Sequence, residues 1–583
     1  MAGEVEVTFV NQKEKRLFPV GMAVSDILRA ANISFPLVCN GQGTCGKCRV
    51  KVSGDTTPPT SAELRQLGTS EFANGIRLAC QIKLTGPLKL ELLGEISSKN
   101  ILQTGNIELK EIDPEWGIIT ITKPPILSWY WISKKLPVPL QPSLGILQEI
   151  ALLAPETEEL TIEYFGNEAI GLVSNNAATK YAVAVDIGTT TLAAYLVDLQ
   201  NGAIVNTASA YNPQSSYGAD VISRINYAGT EAGLDTLHRV IVSEINNLII
   251  ELLSGQGIIT ENIIQVTLVG NSCMIHLLAK VSPESLGKVP FEPVFQEMLQ
   301  LEPAEIGLKT NPRGKVFILP GIGGFVGSDI SAGVLACGLE PERKELFIDI
   351  GTNGEVIITG QGRMLACSTA AGPAFEGATI YCGMLANSGA ITDVQFTGKS
   401  LSLTTINNEP PKGICGTGLI RALVELLQKG YINKTGRWEE EIDHPNYDPD
   451  SKWFYLVKVE SNPVYISQQD IRQFQLAKGA VRTGLELLMK RLEISADELD
   501  TVYLAGAFGT YLRPEDAVYL GLLPKVPVEK IKAVGNTAGM GAVISILSKT
   551  ALVELQSRVK KIEHVELAED PEFTEVFTES MMF

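Results

Sequence analysis

Basic residues, long apolar runs and histidines are all scarce in this sequence of 583 residues. Its 48 Lys and Arg face 66 Asp and Glu, which leaves a formal net charge of −18. This balance disfavours nucleic acid or an anionic membrane surface as the main partner, because both bind concentrated positive charge. No stretch has the roughly 18 uninterrupted apolar residues of a membrane span, and the charged N-terminus has no signal-like apolar segment. We therefore expect a cytoplasmic protein.

The sequence also lacks the pattern of a disulfide framework or of a histidine-rich metal centre. Its nine cysteines are an odd number, and its four histidines are widely spaced. Five cysteines form no C-x2-C pair and are expected to be buried thiols: Cys273, Cys337, Cys367, Cys382 and Cys415. The other four lie near the N-terminus: Cys39, Cys45, Cys48 and Cys80.

The four N-terminal cysteines have the spacing C-x5-C-x2-C-x31-C, which resembles the ligand run of plant-type and adrenodoxin-type 2Fe-2S ferredoxins. Gly41, Gly43 and Gly46 lie among the first three and would let the backbone wrap closely round a cluster. A structural zinc site stays open as the alternative, although such sites usually show two separated ligand pairs. The spacing predicts that residues 1–94 bind a 2Fe-2S cluster and handle single electrons.

Alternation of apolar and polar residues around these cysteines predicts a small β-grasp domain. Residues 4–10 and 16–20 alternate like a hairpin, and residues 24–32 have a helical pattern. The polar, aperiodic segment 95–111 is predicted to be a linker. Residues 112–180 combine short strands with one helix between prolines, which predicts a small α+β domain.

An internal repeat begins after this region. The sequence Asp-Ile-Gly-Thr occurs at Asp186 and again at Asp349, and each copy ends an apolar β-run and precedes a second one. Both copies are therefore predicted to be strand-turn-strand hairpins. Each could be an ordinary tight turn, but two copies in equivalent strand contexts favour a shared function.

Hairpin tips of this composition suit phosphate binding. Gly, Thr and Asn present backbone N–H groups and hydroxyls with little bulk, so a tip can close on a phosphate oxygen. The aspartate before each turn can hold Mg²⁺, directly or through water, because that ion prefers one or two carboxylates plus phosphates. Two facing tips would hold a triphosphate from both sides.

A third motif, Val502 to Gly509, runs from a strand into a turn of small residues, against which a base or ribose could lie. The order of the three motifs resembles the actin-like (ASKHA) ATPase superfamily of sugar kinases, actin and heat-shock chaperones, and predicts duplicated mixed α/β halves in residues 181–583. By position, the resemblance assigns nucleotide contacts to two phosphate motifs and an adenosine motif: Gly188, Thr189, Thr190 and Thr191; Gly351, Thr352, Asn353, Gly354 and Glu355; Gly506 and Ala507.

Three acids are candidates for the chemistry of this cleft. Asp186 and Asp349 are expected to hold Mg²⁺, and Glu376, which follows the second hairpin, to organise the metal or the attacking water. A turn or helix-capping role for Glu376 is an equal alternative. Asp220 and Arg224 lie four apart on a predicted helix, where an i,i+4 ion pair is expected.

An iron–sulfur domain and an actin-like ATPase on one chain resemble the reductive activators of corrinoid proteins in anaerobic one-carbon metabolism. Residues 217–224 and 350–355 resemble sequence motifs of this family. Some relatives carry a cysteine-rich tail suited to 4Fe-4S clusters, but the last cysteine of this sequence is Cys415, so it resembles the 2Fe-2S branch. The resemblance implies a 2Fe-2S cluster, ATP and Mg²⁺ as cofactors. It also implies electron transfer to a Co(II) corrinoid protein, which restores Co(I).

Two other functions stay open at this stage. One is an ATP-driven electron donor to a different low-potential enzyme, and the other is a redox-sensing ATPase that regulates without passing electrons to a metabolic partner. The resemblance implies a corrinoid protein as acceptor and an upstream electron donor, and it allows a homodimer. No nucleic acid or membrane partner is expected.

Overall fold

A computed structural model describes the chain over these residues: 4–31, 33, 35, 41–43, 46–93, 112–153, 157–173, 179–459 and 463–583. Cys39, Cys45 and the predicted linker, 95–111, lie outside the described residues. In the described part, no helix is long and apolar enough to cross a membrane.

The N-terminal residues form a mixed five-stranded sheet in the order β2-β1-β5-β3-β4, with β1 and β5 parallel. This arrangement is the predicted β-grasp fold, and Val7, Phe9, Ile27 and Leu28 are buried in its core. Its elements are β1 (Glu4–Phe9), β2 (Glu14–Pro19), α1 (Val24–Ala30), β3 (Arg49–Thr56), α2 (Ser61–Gln66), α3 (Thr69–Ala73), β4 (Ile76–Leu78) and β5 (Leu84–Leu92).

A separate four-stranded sheet follows, in the order β6-β8-β9-β7, and packs with two helices as the predicted α+β unit. Ile132, Ile146 and Ile162 are fully buried between the sheet and the helices. Its elements are β6 (Trp116–Thr122), α4 (Trp129–Ser133), β7 (Gln141–Pro142), α5 (Leu144–Ala151), β8 (Glu159–Phe165) and β9 (Glu168–Val173).

The first half of the C-terminal region is built on a six-stranded sheet in the order β12-β11-β10-β13-β15-β14. Its β10–β11 hairpin has the predicted position. The elements are β10 (Tyr181–Ile187), β11 (Thr191–Asp198), β12 (Ile204–Tyr211), α6 (Val221–Tyr227), α7 (Glu231–Leu253), β13 (Ile263–Gly270), α8 (Ser272–Leu278), β14 (Leu299–Leu301), β15 (Lys315–Ile318) and α9 (Ser328–Cys337).

The second half has a matching sheet in the order β26-β25-β16-β17-β18-β27, with two three-stranded sheets inserted before its long helix. The elements are β16 (Glu345–Ile350), β17 (Gly354–Gly360), β18 (Arg363–Thr369), β19 (Ala390–Thr397), β20 (Ser400–Thr405), β21 (Gly413–Ile414), α10 (Gly416–Gln428), β22 (Tyr447–Asp448), β23 (Trp453–Val457), β24 (Val464–Ser467), α11 (Gln468–Arg491), β25 (Thr501–Ala505), α12 (Gly506–Tyr511), α13 (Pro514–Tyr519), β26 (Ile531–Gly535), α14 (Thr537–Leu547), α15 (Lys549–Val559), β27 (Ile562–His564) and α16 (Phe573–Ser580).

The two large sheets repeat one topology. In each, three consecutive antiparallel strands are extended by two parallel strands beside the first: β13 and β15 beside β10, and β25 and β26 beside β16. Asp186 in β10 and Asp349 in β16 occupy the same place at the end of the first strand. The predicted duplication of α/β halves is therefore confirmed.

One apolar core joins the two halves through helices α9 and α14. It combines Tyr195 from the first sheet and Phe347 from the second with Met540 and Val543 from α14. The helices pack closely, since a Cβ at Gly541 would lie 2.0 Å from the carbonyl oxygen of Ala332. This close packing positions the carboxyl ends of both first strands around one cleft.

Candidate functional site

Two of the four predicted cluster ligands lie side by side within the described residues. Cys48 directly precedes β3 and Cys80 follows β4, and their Sγ atoms lie 3.3 Å apart. Both sulfurs are within reach of one metal ion, because a metal–thiolate bond is about 2.3 Å long. The pair therefore fits a shared iron ion, while the contributions of Cys39 and Cys45 stay predictions.

The loop before Cys48 has the tight backbone that its glycines predict. Gly41, Gly43 and Gly46 have φ angles of +82°, +71° and +64°, which other residues rarely adopt. A Cβ at Gly43 would also lie 2.7 Å from the side chain of Gln81. Gln81 Nε2 donates to the Gly41 carbonyl at 2.8 Å and lies 3.4 Å from the Sγ of Cys80, so it links the loop to that cysteine.

A buried ion pair fixes the strand that leads to Cys80. Arg77 donates from Nε and Nη2 to the two carboxylate oxygens of Glu63, at 2.8 and 2.9 Å. The amides of Thr60 and Leu78 donate to the same carboxylate. Burial raises the pKa of Glu63, but the hydrogen bonds from Arg77 and the two amides outweigh it and hold the pKa below its ordinary value of 4.5. The pair anchors α2 against β4.

In the first half, the tip of the β10–β11 hairpin is closely braced. A Cβ at Gly188 would lie 2.7 Å from the Thr191 carbonyl oxygen, so only glycine fits this turn. Asn212 holds the tip from behind: its side chain donates to the Gly188 carbonyl at 2.8 Å, and its backbone amide donates to the Thr190 carbonyl at 2.9 Å. The predicted phosphate motif is therefore a rigid turn.

Arg224 also supports this turn, which corrects the ion pair expected with Asp220. Its guanidinium is fully buried and donates to the carbonyls of Thr189, at 2.5 Å, and Gly218, at 2.9 Å. Asp220 instead caps helix α6 and accepts from the Ser223 amide at 2.7 Å. The i,i+4 spacing failed as a guide because orphaned carbonyls of the turn compete for the cation.

The second hairpin, β16–β17, repeats the turn on the other side of the cleft. The amide of Gly351 donates to the Asn353 carbonyl at 2.9 Å, and Asp349 lies opposite Glu355 in the strand pair. A Cβ at Gly354 would lie 2.6 Å from the Oγ1 of Thr369, so a larger residue would displace β18.

Glu376 joins the two turns. The hydroxyl of Thr352 donates to its Oε1 at 2.7 Å, and the hydroxyl of Thr190 donates to its Oε2 at 3.3 Å. Burial raises the pKa of this carboxyl, although the two threonine hydrogen bonds oppose the change. The structure thus brings one residue from each predicted phosphate motif onto a single carboxylate.

Acidic side chains cluster on the floor of the cleft. Burial raises the pKa of Asp186 to about 6, although Asn536 donates to its Oδ2 at 2.9 Å. Burial and the charge of Asp186 raise the pKa of Asp349 to about 7. Burial and the charges of Asp186 and Asp349 raise the pKa of Asp329 to about 8. A cation placed among these groups would relieve their mutual repulsion.

A magnesium ion held by one or two carboxylates would fit this cleft. Within the described ranges, no three acidic, histidine or cysteine side chains converge as direct ligands of one metal ion. Mg²⁺ usually takes one or two carboxylates plus phosphate oxygens and retains several waters. Asp186 and Asp349, from the two sheets, are suited to this water-mediated binding.

Sequence reasoning missed Asp329 and the contact between Asn536 and Asp186. Asp329 lies in the first turn of helix α9 and accepts from the Ile330 amide at 2.9 Å, and Asn536 caps helix α14 and accepts from the Gly539 amide at 2.8 Å. The available signal was Gly327: a Cβ there would lie 2.4 Å from the carbonyl oxygen of Gly270, at the end of the neighbouring strand. The glycine lets the start of helix α9 approach the end of that strand, and the start of α9 thereby reaches the cleft.

The predicted adenosine motif lies beside the second aspartate. Gly506 has a φ of +81°, and a Cβ there would lie 2.5 Å from the Oδ1 of Asp349. Ala507 is the second residue of α12. A Cβ at Gly416, at the start of α10, would lie 1.9 Å from the carbonyl oxygen of Phe375. That glycine lets α10 pack against the segment that carries Glu376.

Three family models match the chain. A 2Fe-2S iron–sulfur cluster binding domain covers residues 8–85. A RACo middle region covers residues 181–342, and the C-terminal domain of RACo, the ASKHA domain, covers residues 343–583. The region named "middle" is therefore the first half of the cleft, and residues 112–180 lie outside the three matched stretches.

Two curated relatives match the chain, one of them along nearly its whole length. The corrinoid activation enzyme RamQ of Eubacterium limosum is 32% identical over 588 residues, which cover 96% of each chain. The chain belongs to the family of reductive activators of corrinoid proteins. A further family member, the [Co(II) methylated amine-specific corrinoid protein] reductase of Methanosarcina barkeri, is 26% identical and covers 68% of this activator and 76% of its own length.

A solved structure agrees with this assignment. The reductive activator for corrinoid,iron-sulfur protein is 30% identical to this activator, covers 100% of it and 98% of its own chain, and superposes with a TM-score of 0.73. Together with the domain matches, this likeness confirms the predicted fold of the activator. The matches also confirm that the activator has an iron–sulfur domain and an ATP-binding ASKHA domain.

Proposed function

We propose that this chain is an ATP-dependent reductive activator, which passes one electron from a 2Fe-2S cluster to an inactive Co(II) corrinoid protein and restores Co(I). A reduced cluster bound by this chain's cysteines would supply that electron, and the cobalt of the partner would accept it. The observation that carries the proposal is the pairing, on one chain, of the cysteine loop with a cleft whose two phosphate motifs meet at Glu376. The full-length likeness to corrinoid activators supplies the acceptor.

The cluster ligands are assigned to Cys39, Cys45, Cys48 and Cys80. When bound, a 2Fe-2S cluster supplies a one-electron couple near roughly −400 mV in plant-type proteins. Gln81 is placed to donate a hydrogen bond to the sulfur of Cys80, and such bonds tune the potential.

The nucleotide is assigned to the cleft between the two large sheets. The turns Gly188–Thr191 and Gly351–Glu355 present amides and hydroxyls to the phosphates, and Gly506 with Ala507 borders the adenosine. Asp186 and Asp349 position Mg²⁺ through water. Glu376, which lies beside both turns, accepts the proton of the attacking water.

ATP is needed because the electron moves uphill. Reduction of Co(II) in a corrinoid requires a potential below that of a plant-type cluster, and each 100 mV amounts to about 2.3 kcal/mol for one electron. Closure of an actin-like cleft can supply this energy by changing how the partner is bound.

The remaining assignments follow the same division of the chain. We assign the cluster domain to residues 1–94, the linker to 95–111, a small α+β domain to 112–180 and the ATPase to 181–583. We also propose a cytoplasmic location and an upstream electron donor, and the proposal allows a homodimer.

The test is anaerobic mixing of the reduced protein with a Co(II) corrinoid carrier, with and without Mg·ATP. The Co(I) absorbance band should grow with ATP and should be absent for Cys48→Ser. Cys337→Ser is the matched control, because Cys337 lies on helix α9, far along the chain from the four cluster cysteines.

Two outcomes would redirect the proposal. Failure of the Co(I) band under every condition, in protein that holds both cluster and nucleotide, would refute the corrinoid function. Cluster-dependent changes in ATP hydrolysis without electron transfer would support a redox-sensing ATPase instead.

A further inference from the structure

The cluster domain contacts both halves of the cleft, through one cation for each half. Lys47 directly precedes Cys48 in the loop that leads into β3, which we call the cluster loop. Arg29 lies on helix α1. Their acceptors lie in segments that are attached to the two phosphate motifs.

Lys47 anchors the cluster loop to the second half. Its ammonium group donates to three backbone carbonyls, those of Gly383 at 2.6 Å, Ile380 at 3.2 Å and Tyr381 at 3.5 Å. Three acceptors match the three donors of an ammonium group. The contact therefore holds the cluster-bearing edge of the domain against residues 380–383.

The segment that Lys47 binds is rigidly tied to Glu376. A Cβ at Gly383 would lie 2.1 Å from the carbonyl oxygen of Gly377, so the two ends of the segment touch. Gly377 follows Glu376, whose carboxylate accepts from Thr352 and Thr190. A displacement of Glu376 must therefore move the acceptors of Lys47.

Arg29 anchors the domain to the first half. Its Nε donates to the Ser216 carbonyl, and its guanidinium lies 5.7 Å from the centre of the Tyr217 ring. Ser216 ends a short turn that begins after Asn212, and Asn212 braces Gly188 and Thr190. The second anchor is thus tied to the first phosphate motif.

We propose that the cluster domain is docked across the nucleotide cleft by Arg29 and Lys47, and that nucleotide binding releases it. A phosphate group entering the cleft competes with Glu376 for the hydroxyls of Thr190 and Thr352 and repels its carboxylate. Glu376 then moves with residues 377–383, and the three-carbonyl site of Lys47 is lost. The freed cluster loop can face a partner protein.

This inference rests on the proposed function for its two ligands, a 2Fe-2S cluster and ATP. Coupling between two binding events is reciprocal: if the nucleotide weakens docking, loss of docking must tighten nucleotide binding by the same factor. Typical couplings between sites are about 5- to 150-fold. A change in nucleotide affinity therefore measures the docking without any electron transfer.

The experiment uses the full-length, cluster-loaded protein and a non-hydrolysable ATP analogue with Mg²⁺. Calorimetry gives the affinity for the analogue, and loss of cluster absorbance to an iron chelator gives the accessibility of the cluster. The variants are Lys47→Met and Arg29→Gln. Lys51→Met is the control, because Lys51 pairs with Glu91 within the cluster domain.

In the wild type, the analogue should speed iron loss about fivefold or more. Lys47→Met should lose iron at the fast rate without the analogue and bind the analogue about fivefold more tightly, and Arg29→Gln should change in the same direction. Lys51→Met should match the wild type. If Lys47→Met fails to hold its cluster, Arg29→Gln, which lies outside the cluster loop, decides the test.

An affinity that is unchanged or weaker in the variants, together with iron loss that ignores the analogue, would overturn the inference. That result presupposes a wild type that binds both ligands. A wild type that binds no iron or no analogue would instead refute the proposed function.

Discussion

The acid cluster of the cleft should make the nucleotide-free protein less stable as the pH rises, and Asp329→Asn should remove much of that loss. Asp329 has an ordinary pKa of 3.8, which the fold raises to about 8 through burial and the charges of Asp186 and Asp349. The folded state therefore holds this proton more tightly than the unfolded state. The stability that the proton confers is complete below about pH 4 and is lost as the pH rises towards 8.

The size of the effect follows from the two pKa values. At pH 7, about three pH units separate the solution from the unfolded pKa of 3.8, and each is worth about 1.4 kcal/mol. Keeping Asp329 protonated in the folded state thus costs on the order of 4 kcal/mol at this pH. Asparagine keeps the acceptor for the Ile330 amide and carries no charge, so Asp329→Asn should be more stable by this order.

The assay is urea unfolding of the nucleotide-free protein from pH 5 to pH 8, followed by tryptophan fluorescence, to which Trp438, buried in the second half, contributes. The gap between variant and wild type should widen with pH and narrow when Mg²⁺ and ADP fill the cleft. The exposed Asp450 gives the control variant Asp450→Asn, which should follow the wild type. A variant no more stable than the wild type at pH 8 would refute the reasoning.

Three further predictions concern the two sites. Glu376→Gln should lower ATP turnover about 100-fold or more without weakening the affinity for a non-hydrolysable analogue, as steady-state kinetics and calorimetry would show; an equal turnover would remove Glu376 from the chemistry. Glu63→Gln should destabilise the cluster domain by about 3 kcal/mol in urea unfolding, because it leaves the Arg77 charge buried without its partner. Glu91→Gln, in the exposed pair with Lys51, should destabilise it by less than about 1 kcal/mol. Arg224→Met should weaken analogue binding, because the Thr189 carbonyl loses its donor. Asp220→Ala should lower the stability by about 1 kcal/mol through lost helix capping and leave the analogue affinity unchanged. Equal effects of the two variants on this affinity would restore the ion-pair interpretation.

The sequence predicted the parts of this protein that depend on short-range spacing. Cysteine spacing indicated an iron–sulfur loop, and the repeated Asp-Ile-Gly-Thr indicated two hairpins, because turns and ligand loops are encoded by residues close together in the chain. The alternation of strands and helices indicated the α/β class, and residues 4–10 and 16–20 formed the hairpin that their pattern predicts.

Only the tertiary structure brought distant residues into one site. Asn536 donates to Asp186 across 350 residues of the chain, and Asp329 on helix α9 lies near the aspartates of both motifs. Arg224 donates to the carbonyl of Thr189 instead of pairing with the nearby Asp220, because the buried turn needs donors that its own backbone cannot supply. The contacts of Arg29 and Lys47 with the two halves likewise depend on how the domains pack together. The surfaces that pack are built from residues far apart in the chain, so no short segment predicts these contacts.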